Sequence, residues 1–346
     1  MTACTSQLAA LPKRPLGRTG IEVTALGFGS APLGDIYEIL DDDAAIRTVE
    51  RAADNGITLF DTAPLYGQGS AEHRVGTALR RQPQGSFVLS TKVGRILVPA
   101  PAGRIPTTRF VGGLSFDVVN DYSYDAAMRS HEHSLHRLGL PKVDILLIHD
   151  ADAWGHGPVE GPKRYREAME GAYRALEKLR AEGVIKAIGI GLNDPVYAAN
   201  FLRDGDFDCL LMAGRYSLLE QPALAEVLPL ASEKNVGVLL GGVFNSGILA
   251  TGSGPDAKYN YLPAPPEILD KVARIEKVCA SHHVPLPTAA MQFCLGHPAV
   301  SSLVLGAVKP SEVERNCAAA ASPIPTALWS DLKSEGLLDP AAPTPA

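Results

Sequence analysis

Asp144–Asp150 reads DILLIHD: four successive apolar residues without polar alternation, closed by His149 and Asp150. A strand with one face in water alternates, whereas a strand covered on both faces, as in a parallel sheet under helices, does not. Seven other short runs share this character: Thr24–Ser30, Ile57–Ala63, Phe87–Val93, Lys186–Asn193, Cys209–Gly214, Val236–Gly242 and Ser301–Ala307. The spacing therefore predicts eight buried strands.

Between them lie helical patterns. Asp42–Asn55 has acidic caps in front and Asn55-Gly56 behind, and Ser123–Leu138 runs to Gly139. Gly161–Gly183, Asp194–Asp204, Gln221–Asn235 and Pro266–His283 follow. Strand–helix alternation through eight units predicts a parallel sheet with right-handed crossovers, and closure into an α/β (β/α)8 TIM barrel is its natural outcome. An open doubly wound sheet is the alternative, but no Gly-x-Gly-x-x-Gly turn opens the first helix. Arg14–Val23 reads as an N-terminal β-hairpin cap over the closed end, turning at Gly17–Gly20. Two long connections, Gly94–Tyr122 and Phe244–Pro266, follow strands three and seven, and long loops at strand C-terminal ends are expected to build the site. The organisation expected is one barrel domain over 14–330, with flexible tails at 1–13 and 339–346.

The net charge of −6 argues against a nucleic-acid surface, and no apolar run has the length of a transmembrane helix. Five cysteines, an odd number without a Cys-x-x-Cys pair, point to a reducing, cytoplasmic setting. Met1–Pro12 lacks the apolar core of a signal peptide. His131, His133 and His136 lack the i, i+4 spacing of a metal pair, so a solvated helix face and no metal are expected.

The chemistry gathers at three consecutive strand ends. Strand two ends in Asp61 with Tyr66 five residues on, strand three in Thr91-Lys92, and strand four in His149. Each residue alone has an ordinary reading: a helix cap, a surface lysine, a core histidine. Adjacent barrel strands would bring all of them to one mouth, and polar groups there are costly unless paired. The set suits proton transfer to an oxygen undergoing hydride exchange. Tyrosine is a poor base at its usual pKa near 10; a neighbouring ammonium should lower it, an aspartate should hold that ammonium, and a histidine should orient the oxygen.

Phe60–Leu79 (FDTAPLYGQGSAEHRVGTAL), Ser90–Arg95, Ser134–Asp150 and Gly183–Asn193 together resemble the signatures of the aldo-keto reductase superfamily, over roughly Leu16–Asn316. The resemblance implies the (β/α)8 barrel and a catalytic tetrad of Asp61, Tyr66, Lys92 and His149. It implies a nicotinamide cofactor, with Asn193 on the carboxamide, Tyr216 stacked on the ring, and the backbone of Val243, Phe244, Asn245, Ser246 and Gly247, with Leu249, over the pyrophosphate. Gly306–Asn316, containing Val308, Lys309 and Glu312, is then the adenosine end. Glu312 stands where NADPH-holding relatives commonly carry Arg, which implies NAD in preference to NADP, while Lys309 keeps NADP possible.

Phe116–Leu140, Leu147–His156 and Gly241–Gly252 further resemble the branch of L-fucose or D-threo-aldose 1-dehydrogenase, L-galactose dehydrogenase and pyridoxal 4-dehydrogenase. That implies oxidation of the anomeric hydroxyl of an aldose to a lactone, the sugar held by Tyr66 and His149. Trp154 reads equally as a sugar-stacking wall or as loop packing. An NADPH-dependent aldehyde reductase or pyridoxal dehydrogenase is the alternative. A cofactor-binding regulatory subunit, as in potassium-channel β subunits, is disfavoured by the intact tetrad. A monomer or small homo-oligomer without membrane or nucleic-acid partners is expected.

Overall fold

The structure is a computed structural model describing residues 10–101 and 108–345. Eight parallel strands close into a barrel in chain order: β1 (Leu26–Gly29), β2 (Leu59–Asp61), β3 (Val88–Val93), β4 (Ile145–His149), β5 (Ala187–Leu192), β6 (Cys209–Ala213), β7 (Gly237–Gly241) and β8 (Val300–Gly306). The last pair, Leu303 beside Leu26, joins β8 back to β1. The expected (β/α)8 barrel is the fold observed.

Side chains alternate between the two faces of each strand. One set fills the barrel: Leu59, Ile145, Leu147, Ala187, Cys209, Leu211, Leu239 and Val304 are buried together inside. The other set, including Phe28, Phe60, Leu146, Ile148, Ile188, Leu210 and Leu240, packs outward against the helices. This parity decides the site. Asp61 is two residues past Leu59, and His149 two past Leu147, so both stand at the top of the inward column. Lys92 pairs with Leu147 in register and Asp61 with Ser90, which brings the three strand ends together.

The N-terminal hairpin forms as expected from Lys13–Pro15 and Glu22–Thr24. Leu16, Ile21 and Val23 plug the interior from below. Through residue 9, the flexible tail expected at 1–13 and the stretch Met1–Pro12 lie outside the described residues.

Several expectations change. Gly94–Tyr122 carries an antiparallel hairpin of Arg95–Pro99 on Phe116–Asn120, and Phe244–Pro266 carries a small one of Lys258–Tyr259 on Leu262–Pro263. The helix expected at Gly161–Gly183 begins at Ala153 and contains a π turn at Ala168–Ala172. The tail beyond Leu338 is laid against the body: Ala342 is buried, and Lys333 donates to the carbonyls of Pro340 and Ala342 at 2.9 and 2.8 Å. His131 is buried, so only part of its helix face is solvated. Among the described residues, no helix is long and apolar enough to cross a membrane and no His/Cys/Asp/Glu group is arranged to hold a metal.

Candidate active site

Asp61, Tyr66, Lys92 and His149 converge at the C-terminal mouth. Lys92 Nζ donates to Asp61 Oδ2 at 2.6 Å and to the Thr62 carbonyl at 2.8 Å. It lies 4.7 Å from the centre of the Tyr66 ring. Both contacts are to acceptor oxygens, as an ammonium requires, so the pair is read as ammonium and carboxylate. Burial opposes the Lys92 charge more than any one partner favours it, yet Asp61 and Tyr66 together hold its pKa above the usual range. Burial also pushes the Asp61 carboxyl upward against the pull of Lys92. Oδ1 of Asp61 has no hydrogen-bond partner.

The Tyr66 ring meets His149 edge-on at 5.8 Å and Phe110 at 6.2 Å. Its phenol is pushed up to about 12, by burial first; Lys92 pulls it down, while Asp61 pushes it up. The direction reverses the sequence expectation, because desolvation of a phenolate in this site outweighs one nearby cation. The group is therefore a proton donor at neutral pH. His149 is held neutral: burial, then the charges of Arg95, Lys92 and Arg109, drive its pKa well below 6.5. A neutral imidazole can donate one hydrogen bond to a substrate oxygen without competing for the proton.

Beyond His149 the chain turns sharply. Asp150 has φ 46°, a left-handed conformation costing a non-glycine residue on the order of 1–3 kcal/mol. Its Oδ2 accepts from Arg95 at 2.8 Å and lies 3.5 Å from His149 Nε2. Tyr122, wholly buried, donates its hydroxyl to the His149 carbonyl at 2.7 Å. Arg109 lies over the Tyr261 ring at 4.5 Å, linking the two long loops across the mouth. None of Arg95, Arg109, Arg215 or Tyr261 is given a role by the sequence. The one available signal was the position of Arg95 and Asp150 directly after strand ends.

Asn193, at the end of β5, is half-buried and donates to the Ala213 carbonyl at 3.0 Å. Its own carbonyl accepts from Arg215 Nε at 3.0 Å. Arg215 also lies 4.5 Å from the Trp154 ring centre, so one face of Trp154 serves loop packing while the residue stays 45% exposed. Tyr216 departs from expectation. Its ring is 1% exposed, stacked on Phe293 at 5.0 Å with His297 at its edge, and presents no free face to a nicotinamide. β6 ends at Ala213, and after the left-handed Gly214 the chain carries Tyr216 into the packing with Phe293 while Arg215 reaches Asn193 and Glu220.

Gly242, Asn245, Ser246 and Gly247 all have positive φ. Successive backbone N–H groups in such turns can form an anion-binding concavity. A Cβ on Gly247 would meet no heavy atom within 4 Å, so backbone can be approached closely there. Asn245 Oδ1 is buried without a partner. The run of positive φ and the open approach at Gly247 fit a pyrophosphate near Phe244 and Ser246, whereas Asn245 Oδ1 only accepts, and the Asn245 and Gly247 N–H groups are taken by the Gly242 and Phe244 carbonyls. Val243 and Leu249 instead belong to the core, and the Leu249 N–H is taken by the Phe244 carbonyl. At the other end, Gly306 and Lys309 are exposed and Val308 half-buried. Glu312 Oε2 accepts from the Val308 N–H at 2.8 Å, closing its own turn. Asn316 borders a small void with Leu305, Ala307 and Val313.

The sequence profile of the Aldo/keto reductase family matches residues 25–335. A pyridoxal 4-dehydrogenase of Microbacterium luteolum is 43% identical over 340 residues, spanning 96% of this chain and 99% of its own length. A D-threo-aldose 1-dehydrogenase of a Pseudomonas species is 40% identical over 341 residues, spanning 94% and 97%. Among solved structures, an aldo-keto reductase from Bacillus halodurans in its holo form matches with a TM-score of 0.74 at 27% identity, over 96% of this chain and 98% of that one.

Proposed function

The chain belongs to the aldo/keto reductase family, an oxidoreductase family that works with NAD(P)H, and on that premise we propose that it is an NAD-dependent dehydrogenase that oxidises the anomeric hydroxyl of a free aldose to a lactone. The observation carrying this reading is the cluster of Tyr66, Lys92, Asp61 and His149 at one barrel mouth. The two relatives named for an aldose and for pyridoxal support its direction. Both compounds hold an aldehyde within ring-closing reach of their own hydroxyl, so a cyclic hemiacetal is the donor they share.

The oxidised nicotinamide, when bound, supplies the hydride acceptor. Neutral His149 holds the anomeric oxygen, and in the oxidation Tyr66, as phenolate, accepts the proton of that hydroxyl. Lys92 stabilises the phenolate that must be present to accept it, and Asp61 keeps Lys92 charged and in place. Asn193 would hold the carboxamide, and the backbone of Phe244 and Ser246, approached closely at Gly247, the pyrophosphate. Lys309, Val308 and Gly306 would border the adenosine end, where Glu312 disfavours a 2′-phosphate.

A second reading, pyridoxal as the hemiacetal, is favoured by the 43% identity to a pyridoxal 4-dehydrogenase. The test is NAD reduction, followed by absorbance, with L-fucose, L-galactose, D-arabinose and pyridoxal, alongside NADPH oxidation with simple aldehydes. Turnover of sugars supports the first reading, and turnover of pyridoxal alone supports the second. Turnover of simple aldehydes alone replaces both with a reductase.

A further inference from the structure

We propose that Tyr122 is a positioning residue that sets the orientation of His149 and Asp150; the proposal rests on the catalytic reading of His149 given above. Besides the His149 carbonyl, its hydroxyl lies 3.1 Å from the Asp150 carbonyl and 2.9 Å from His156 Nε2. The phenol thus sits under the junction where β4 ends and Asp150 enters its left-handed turn. Rotation of that junction would move the His149 ring and the Asp150 carboxylate, the partner of Arg95, together.

Much surrounding structure is committed to holding this one residue. A Cβ on Gly94 would fall 2.3 Å from Tyr122 Cε1, so only glycine leaves space for the ring. The Tyr122 N–H donates to Glu167 Oε1 at 3.0 Å. Its carbonyl accepts from the Ala172 N–H at 2.7 Å. That bond draws Ala172 out of its own helix: the Tyr173 N–H reaches back five residues to Ala168, which makes the π turn. A Cβ on Gly171 would lie 2.5 Å from the same Tyr122 carbonyl. Single π turns interrupt a helix at a cost and recur at functional sites. An apolar ring in this place would need none of the three polar contacts.

The test is Tyr122→Phe, which keeps the ring and both backbone clamps, assayed on the best substrate from the panel above. Expected is a kcat loss of about 10- to 100-fold, the scale of a slightly misplaced reacting group, with KM changed less than about threefold. NADH affinity by fluorescence titration should be unchanged, and so should the basic limb of the pH-rate profile, since neither Tyr66 nor Lys92 is touched. Gly171→Ala, outside the barrel, should lower kcat in the same sense. In the Tyr122→Phe background it should do so by less than its separate effect. A folded Tyr122→Phe with kcat within about twofold of the parent overturns the proposal. Equal losses in kcat, KM and NADH affinity overturn it too, as general damage. His149→Ala is the control: if it keeps full activity, the catalytic reading of His149 fails and the proposal with it. If it loses activity while Tyr122→Phe does not, only the proposal fails.

Discussion

Lys92 and Asp61 form an ion pair of 2.6 Å whose side chains are 1% and 3% exposed. Neither charge can be relieved by water if the other is lost. Removing one partner of such a pair costs about 3–5 kcal/mol, because the survivor remains buried and uncompensated. Lys92→Met should therefore lose stability on that scale as well as activity. The stranded Asp61, already pushed up by burial, would then fold most favourably protonated. A carboxyl with a raised folded pKa gives stability that is complete at low pH and lost as pH rises through that value. Urea melts should show Lys92→Met more destabilised at pH 8 than at pH 5, with Asp61→Asn/Lys92→Met recovering much of the loss. A pH-independent deficit would contradict the ion-pair account.

Tyr66, with its phenol near 12, is a ready acid and a reluctant base at neutral pH. Oxidation should therefore accelerate with pH into the alkaline range, while reduction stays level until the phenol ionises. Tyr66→Phe should reduce turnover by roughly 10²–10⁴ with little change in cofactor affinity. Lys92 pulls the Tyr66 value down, so Lys92→Met should move the basic limb of oxidation to higher pH. A limb that stays in place would show that Lys92 does not tune Tyr66.

Asp152 caps the helix Ala153–Glu167 through the Gly155 N–H at 2.7 Å, while its other oxygen is buried without a partner. Burial, and next the charge of Asp150, push its pKa up to about 6. Folding then favours the protonated form: this stability is full below pH 4 and lost as pH rises through 6. Asp152→Asn keeps the capping oxygen and removes the charge. It should stabilise the fold by about 3 kcal/mol at pH 8 and by about half of that at pH 5. An equal gain at both values in denaturant melts would refute the assignment.

Glu312 is expected to favour NAD, although its carboxylate also closes the turn at Val308. Glu312→Arg should raise kcat/KM for NADP by at least tenfold, about 1.4 kcal/mol, through a charge-assisted contact to the 2′-phosphate. Glu312→Gln keeps an oxygen for the Val308 N–H and should weaken discrimination only through the lost charge. A parent enzyme that prefers NADP, or no gain for NADP in Glu312→Arg, would end the proposed role.

The barrel and the place of its inner polar residues were legible in the sequence. Strands covered on both faces must be continuously apolar, so eight such runs mark themselves, and two-residue periodicity puts Asp61 above Leu59 and His149 above Leu147. What surrounds the site was not legible. Tyr122 reaches a carbonyl 27 positions away and Arg95 a carboxylate 55 positions away, and no local periodicity encodes such pairs. The Arg95–Asn120 hairpin lies in a Pro- and Gly-rich stretch whose pairing depends on the barrel beneath it. Tyr216 could be read only as an aromatic after a strand; its packing against Phe293 and His297 became visible with the tertiary structure. The Tyr66 pKa also needed the folded chain. Lys92 and Tyr66 could be placed as neighbours from strand order, but the balance between one cation and the loss of water depends on burial, and burial is a sum over the whole tertiary structure.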